Sequence, residues 1–188
     1  MKYIEAPSDA PALGIRVFCA GGITNCPNWQ QDVRCEFEKK FIHVPVVLYN
    51  PRRENFPIND PSAAEQQIGW EFTQLQLADV ILFWFSRGSD NPIVLYEYGT
   101  HLTRLLHNVR SLSRIVCGVD EQYTRKSDVI IQTRLSLSRE VLPTPYNRHK
   151  FSGVHTDFTS FLLAAVKAVT LELTYTTTTD ANTIPRWQ

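Results

Sequence analysis

Glu97, in the stretch LYEYG (95–99), stands one turn into a segment that reads as a helix. A carboxylate near a helix N-terminus is stabilised as the anion. Facing a pocket, such an anion can attack a sugar carbon and form a covalent glycosyl ester. Glu71 lies one residue off the apolar stripe of another helical segment, eight residues before Asp79. Position alone leaves plainer readings open: Glu97 as a helix-dipole residue without chemistry, Glu71 as part of a solvated helix face.

Other chemistry-bearing residues follow apolar runs. VFCAGGITNCPNWQQ (17–31) stops being apolar at Gly21-Gly22. This is neither a G-x-G-x-x-G fingerprint nor a P-loop lysine motif. Paired glycines still permit close approach of backbone to a ligand, and equally a tight turn. YNPRREN follows a second apolar run, and SRGSDNPIVLYEYG a third. If the three runs are neighbouring strands, these segments converge, and Gly21, Gly22, Asn25, Trp29, Asn50, Arg52, Asn91 and Glu97 become neighbours in space. Trp29 suits a core position as well as a stacking platform. His101 and His107 lie on the helix of Glu97 without metal-ligand company and read as structural.

The elements that must position these groups alternate. Strands are expected at IRVFCAG (15–21), VPVVLYNP (44–51), DVILFWF (79–85), RIVCGV (114–119) and DVIIQT (128–133). Helices are expected over 28–41, 62–78, 93–108 and 155–173, from apolar residues recurring at helical spacing. The first carries Trp29, Val33, Phe37 and Phe41, with Asn28 or Asn25 as cap; the second carries Ile68, Phe72, Leu75 and Ala78, with Ser62 and Glu65 as a capping box. DVILFWF, apolar on both faces, belongs in the middle of a parallel sheet. The pattern is that of an α/β, doubly wound, flavodoxin-like or Rossmann-like fold: a mostly parallel five-stranded sheet with helices on both faces. Ligands in such folds bind at the carboxyl ends of the strands, near a topological switch point. Residues 1–14 read as a loose arm, 15–173 as one domain, and 174–188 as a polar tail.

Composition narrows the class. The 188 residues are 43% hydrophobic, and the charged residues, 20% of the chain, cancel to zero net charge. No global attraction to a nucleic acid polymer or an anionic membrane follows. The four cysteines show no C-x-x-C pair, and no metal site is expected. Cys19 and Cys117, inside apolar runs, read as buried small hydrophobes. No apolar leader and no window approaching 18 apolar residues is seen, so a cytoplasmic protein is the expectation.

FCAGGI, then a glutamate before ADVILFWF, then LYEYG, in that order over about residues 15 to 135, resembles the nucleoside 2-deoxyribosyltransferase family. The resemblance implies a flavodoxin-like fold and exchange of the base of 2′-deoxynucleosides through a glycosyl-glutamate intermediate, with retention and side hydrolysis. Glu97 matches the family nucleophile. Glu71 occupies the position of the acidic residue that faces the base and helps protonate it. Gly21 and Gly22 would lie against the nucleoside, and Trp29 would cover the base. No cofactor is implied. The partners implied are deoxynucleosides and free bases, in a homo-oligomer whose sites a neighbouring subunit completes.

One departure concerns the sugar. The family commonly has an aspartate six residues before the nucleophile; here Asn91 stands there, with Asp90 beside it. Asparagine both donates and accepts, unlike an ionised aspartate, which bears on the choice of deoxyribose over ribose. Trp187 or Gln188 of the tail is a candidate to reach a pocket. Two alternatives stand beside the transferase. One is a nucleoside or nucleoside 5′-monophosphate N-glycosidase, with Ser86, Ser89, Arg87 and Arg52 around a phosphate. The other is a non-catalytic nucleotide-binding module.

Overall fold

The computed structural model describes residues 1–10, 13–57, 59–106, 113–139 and 150–179. Six strands form one parallel sheet: β1 Lys2–Glu5, β2 Ile15–Gly21, β3 Val46–Asn50, β4 Val80–Phe85, β5 Arg114–Val119 and β6 Phe151–His155. Their order is β1-β3-β2-β4-β5-β6. Five helices are described: α1 Trp29–Phe41, α2 Ala63–Leu77, α3 Pro92–Leu106, α4 Lys126–Arg139 and α5 Phe158–Thr179. Strands β2 to β6 reproduce the flavodoxin-like order, and β1 extends its β3 edge.

Strand β4 shows why the sheet is covered on both faces. All six of its residues are buried. Ile81, Phe83 and Phe85 enter one core with α2, α3 and α4; Val80, Leu82 and Trp84 enter the other with α1 and α5. Successive strand residues point to opposite faces, so a strand between two helical layers must be apolar throughout. The chain winds from β2 outward to β3, then crosses back to β4. The carboxyl ends of β2 and β4 therefore form the switch point, where a crevice opens.

Several sequence expectations need correction. The sheet has six strands rather than five. Residues 2–5 are not a loose arm: they pair in parallel with Val47–Asn50, and Ile4 is buried. DVIIQT is part of helix α4, not a strand. Its β-branched run looks extended locally, but the buried residues are Val129 and Thr133, one helical turn apart. FSGVH forms β6, so the last helix begins at Phe158 rather than 155. Ser62 makes no side-chain cap bond on α2; its hydroxyl donates to Asp60 Oδ1 at 2.7 Å. Asn28 does cap α1, accepting from Gln31 N at 3.3 Å.

On α2, Ala63, Trp70, Gln74 and Leu75 are buried, whereas Ile68 and Phe72 are exposed. By length and composition Phe158–Thr176 could cross a membrane, contrary to expectation. Here its Phe161, Ala165, Ala168 and Val169 are buried in the core shared with α1, β2, β4 and β5.

Candidate active site

A cavity of about 520 Å³ opens at the switch point and continues as a groove between α2 and α3. Gly21, Gly22, Pro51 and Asn91 line its end at the strand termini, and Phe18 and Ala20 of β2 form the floor. Helix α2 contributes Ile68, Glu71, Phe72, Leu75 and Gln76 to one wall. Helix α3 contributes Ile93, Glu97, Thr100, His101 and Arg104 to the other. The spacing on α3 is that of one helical face.

The loops after β2 and β4 hold each other closely. A methyl group on Gly22 would overlap Asn91 Oδ1 and Cys26 Sγ, and one on Gly88 would overlap the carbonyl of Asn25. Asn25 and Asn91 adopt left-handed conformations, with φ of 58° and 48°, which asparagine tolerates better than most residues. Asn91 immediately precedes Pro92, the first residue of α3, and its carbonyl accepts from Leu95 N at 3.0 Å. Its side-chain Nδ2 donates to the carbonyls of Ser86 at 3.1 Å and Ser89 at 3.0 Å. Its Oδ1 is buried without a hydrogen-bond partner. A buried acceptor left unpaired is costly in a folded protein.

Both glutamates face this cavity. Gln67 Nε2 donates to Glu71 Oε1 at 2.6 Å and to the carbonyl of Pro51 at 2.7 Å, fixing the carboxyl over the groove. Burial pushes the Glu71 carboxyl up, while the Gln67 amide pulls it down. Burial, and then the charge of Glu71, push Glu97 up to about 7. Like charges in one apolar cleft resist joint ionisation, so the pair retains a proton close to neutrality. One carboxylate and one carboxylic acid are therefore present together, the combination needed for nucleophilic attack and general acid catalysis.

Of the residues that the sequence drew to one crevice, Glu71, Glu97, Gly21, Gly22 and Asn91 line the cavity. The others do not, and each has another occupation. Trp29 lies in the opposite core, packed on Phe161, with its Nε1 donating to the carbonyl of Gly22 at 3.2 Å. It supports the glycine turn from beneath and does not cover a base site. Arg52 donates Nε to Gln30 Oε1 at 3.1 Å and Nη2 to the carbonyls of Cys26 and Pro27 at 3.3 and 3.1 Å. Asn50 donates to Tyr3 Oη at 2.6 Å and accepts from Arg52 N at 2.9 Å. Asp90 is exposed, its carboxylate accepting from Thr124 Oγ1 at 3.1 Å. Asn25 is exposed at the turn.

The phosphate constellation is also dispersed. Arg52 is committed to loop carbonyls, Ser86 is fully buried, Arg87 is exposed, and only Ser89 lines the cavity. Trp187, Gln188 and His107 lie outside the described residues. Among the described residues no group of three or more His, Cys, Asp or Glu side chains is placed to hold a metal ion.

Sequence reasoning missed Gln67, Gln76, Thr100 and Arg104, and took His101 as merely structural. The signal was available in helical spacing: Thr100, His101 and Arg104 follow Glu97 by three, four and seven positions, and Gln67 precedes Glu71 by four.

No curated protein matches the chain. A family model described as nucleoside 2-deoxyribosyltransferase like matches residues 14–111, just over half of the chain. That span runs from β2 through α3 and contains every cavity residue named above. The chain belongs to the nucleoside 2-deoxyribosyltransferase-like family.

Proposed function

We propose that the protein is a nucleoside 2′-deoxyribosyltransferase that exchanges the base of 2′-deoxynucleosides with retention. The observation that carries this reading is the pair of charge-coupled glutamates on facing walls of one cavity at the switch point. In the free protein the shared proton rests chiefly on Glu97, beside an ionised Glu71. In the reactive arrangement of the first half-reaction it has passed to Glu71, which delivers it to the leaving base while the glycosidic C–N bond breaks. Ionised Glu97 closes on the anomeric carbon and forms the glycosyl ester. In the second, an incoming base attacks that carbon, its departing proton returns to Glu71, and the Glu97 carboxylate is released. Two inversions give net retention. Water in place of the incoming base gives side hydrolysis. The unpaired Asn91 Oδ1 beside Gly22 offers an acceptor for a sugar hydroxyl.

The cavity mouth carries an apolar collar. Ile68, Phe72, Ile93 and Tyr96 are 65%, 63%, 64% and 75% exposed. Clustered apolar exposure of this kind favours coverage by another surface. On this reading a second copy of the chain closes the cavity.

Incubation of the protein with deoxyguanosine and excess hypoxanthine tests the reaction. Deoxyinosine as product supports transfer. Free guanine appearing at a rate indifferent to hypoxanthine rejects transfer in favour of a hydrolase. Binding without turnover would leave only the nucleotide-binding module.

A further inference from the structure

The groove continues past the two glutamates along α2 and α3. Thr100, His101 and Arg104 form its far end on α3, with Gln76 facing them from α2. Arg104 lies seven residues beyond Glu97, about 10 Å along the helix axis. Side chains on a helix lean toward its N-terminus, so the guanidinium is carried back toward Glu97. On the proposed reading, this part of the groove, between Leu75 of α2 and the α3 face, is open to a base leaving the sugar at Glu97.

The hydrogen-bonding character of this end is polarised. Arginine has only donors. Arg104 Nη1 donates to Gln76 Oε1 at 2.6 Å, which fixes the fork while leaving other N–H groups for a ligand. Thr100 has already donated its hydroxyl proton to the carbonyl of Tyr96 at 2.9 Å, so toward the groove it presents lone pairs. His101 is buried against the ring of Phe83, and burial, then the charge of Arg104, push it down to about 4. It is a neutral imidazole, able to donate or accept, and leaves the choice to its neighbours.

We infer that this end of the groove selects 6-oxopurines over 6-aminopurines, with Arg104 reading the 6-oxo oxygen and Thr100 accepting from the adjacent ring N–H. A 6-aminopurine reverses both positions, placing a donor against arginine and an acceptor against the threonine lone pairs. The purine's two-ring length suits the reach from Glu97 to Arg104 better than a single pyrimidine ring. The inference rests on the proposed nucleoside chemistry of the same cavity.

The test compares deoxyinosine with deoxyadenosine, which differ only at the edge in question. The intact protein is expected to favour deoxyinosine by at least about tenfold in kcat/KM, the scale of a mismatched polar contact. Arg104→Met should bring the two within about threefold by loss on deoxyinosine. Arg104→Lys, which keeps a donor-only group, should retain part of the preference, and Gln76→Ala, which releases the guanidinium, should weaken it. Equal use of both nucleosides by the intact protein, or a preference unchanged in a folded Arg104→Met variant, would overturn the inference.

If neither nucleoside is cleaved, the transferase reading fails. Base selection is then decided by calorimetry with free hypoxanthine and free adenine on the unmodified protein. Tighter hypoxanthine binding that Arg104→Met abolishes upholds the selection; equal binding or no binding of either rejects it.

Discussion

The two ends of the sheet handle buried polar groups in opposite ways. At the amino end every named group is answered. Arg114, at the start of β5 and only 4% exposed, donates Nε to Glu172 Oε1 of α5 at 2.6 Å. Asp79 Oδ2 accepts from Arg16 N at 2.8 Å, and Ser113 Oγ donates to the carbonyl of Ala78 at 2.6 Å. At the carboxyl end, Asn91 Oδ1 is buried without a hydrogen-bond partner, two asparagines take left-handed backbone, and two glutamates share one apolar cleft. At the amino end these bonds tie the strands to α5 and to one another. On the proposed reading the carboxyl end holds interactions in reserve for a ligand, at a cost to the free protein.

Removing the proposed nucleophile should separate the two ends most sharply. Glu97→Ala is expected to lower turnover by at least about a thousandfold, while nucleoside binding, followed by calorimetry, survives. Persistence of turnover would move the nucleophile elsewhere. The counterpart at the other end is Glu172→Ala, which takes the paired carboxylate away from a buried guanidinium. Breaking such a pair costs about 3–5 kcal/mol, so the midpoint of thermal unfolding should fall on the order of 10 °C for a chain of this size. Turnover per folded molecule should stay within about twofold of the unmodified protein. Loss of activity without loss of stability would show that the amino end is not the purely structural one.

The next effect is one of pH. A carboxyl raised in the folded state binds its proton more tightly there than in the unfolded chain. Between about 4.5 and about 7, the ordinary and folded values of Glu97, the folded state holds more protons, so stability falls as pH rises. The total reaches about 3 kcal/mol. Glu97→Gln should flatten that slope and leave the protein more stable than the unmodified form at pH 8, as urea unfolding would record. Activity should follow the same proton: kcat/KM declines above about 7 as the pair loses the proton that Glu71 must deliver. An activity that rises steadily through pH 8 would contradict an acid role for Glu71.

Which parts of this arrangement were legible in the sequence follows from what each residue is used for. β4 could be read because burial on both faces leaves an unbroken apolar run. The edge strands could not. KYIE is short and buries chiefly Ile4, and FSGVH contains Gly153 at φ 92° with a register shift opposite Ile115 and Cys117. The place of Glu97 at the crevice was legible because the strand-end rule depends only on element order. Its meeting with Glu71 was implied only by the family resemblance, since a residue one position off an apolar stripe can equally face water. The fates of Asn50, Arg52 and Trp29 were not. A polar or aromatic residue at a strand end can face the ligand or brace the loop behind it, and both uses leave the same mark in sequence. The collar on α2 was misread for a related reason. Ile68 and Phe72 have the spacing of a core stripe, but the core takes Trp70 and Gln74 instead, leaving them at the cavity mouth.

A smaller effect is expected where the two loops touch. Gly22→Ala places a methyl group against Asn91 Oδ1 and Cys26 Sγ. Both are side-chain atoms, so the site can yield, but the displaced Asn91 oxygen is the proposed sugar contact. KM for the nucleoside should rise about tenfold, with little change in thermal midpoint. An equal loss of stability would make Gly22 a packing residue only.

The subtlest test lies in Gln67, which touches no part of the proposed nucleoside. Its amide stabilises the anionic form of Glu71. In Gln67→Leu that support is gone, burial acts unopposed, and Glu71 holds its proton more tightly. The decline of kcat/KM on the alkaline side should therefore move to higher pH, while the plateau rate changes about threefold or less. A role confined to packing α2 against Pro51 would lower activity equally at every pH. The direction of the shift thus distinguishes a residue that tunes the acid from one that merely holds the helix, and it extends the contrast between the sheet's two ends to single hydrogen bonds. At the amino end a lost bond should appear as lost stability; here it should appear as a displaced titration.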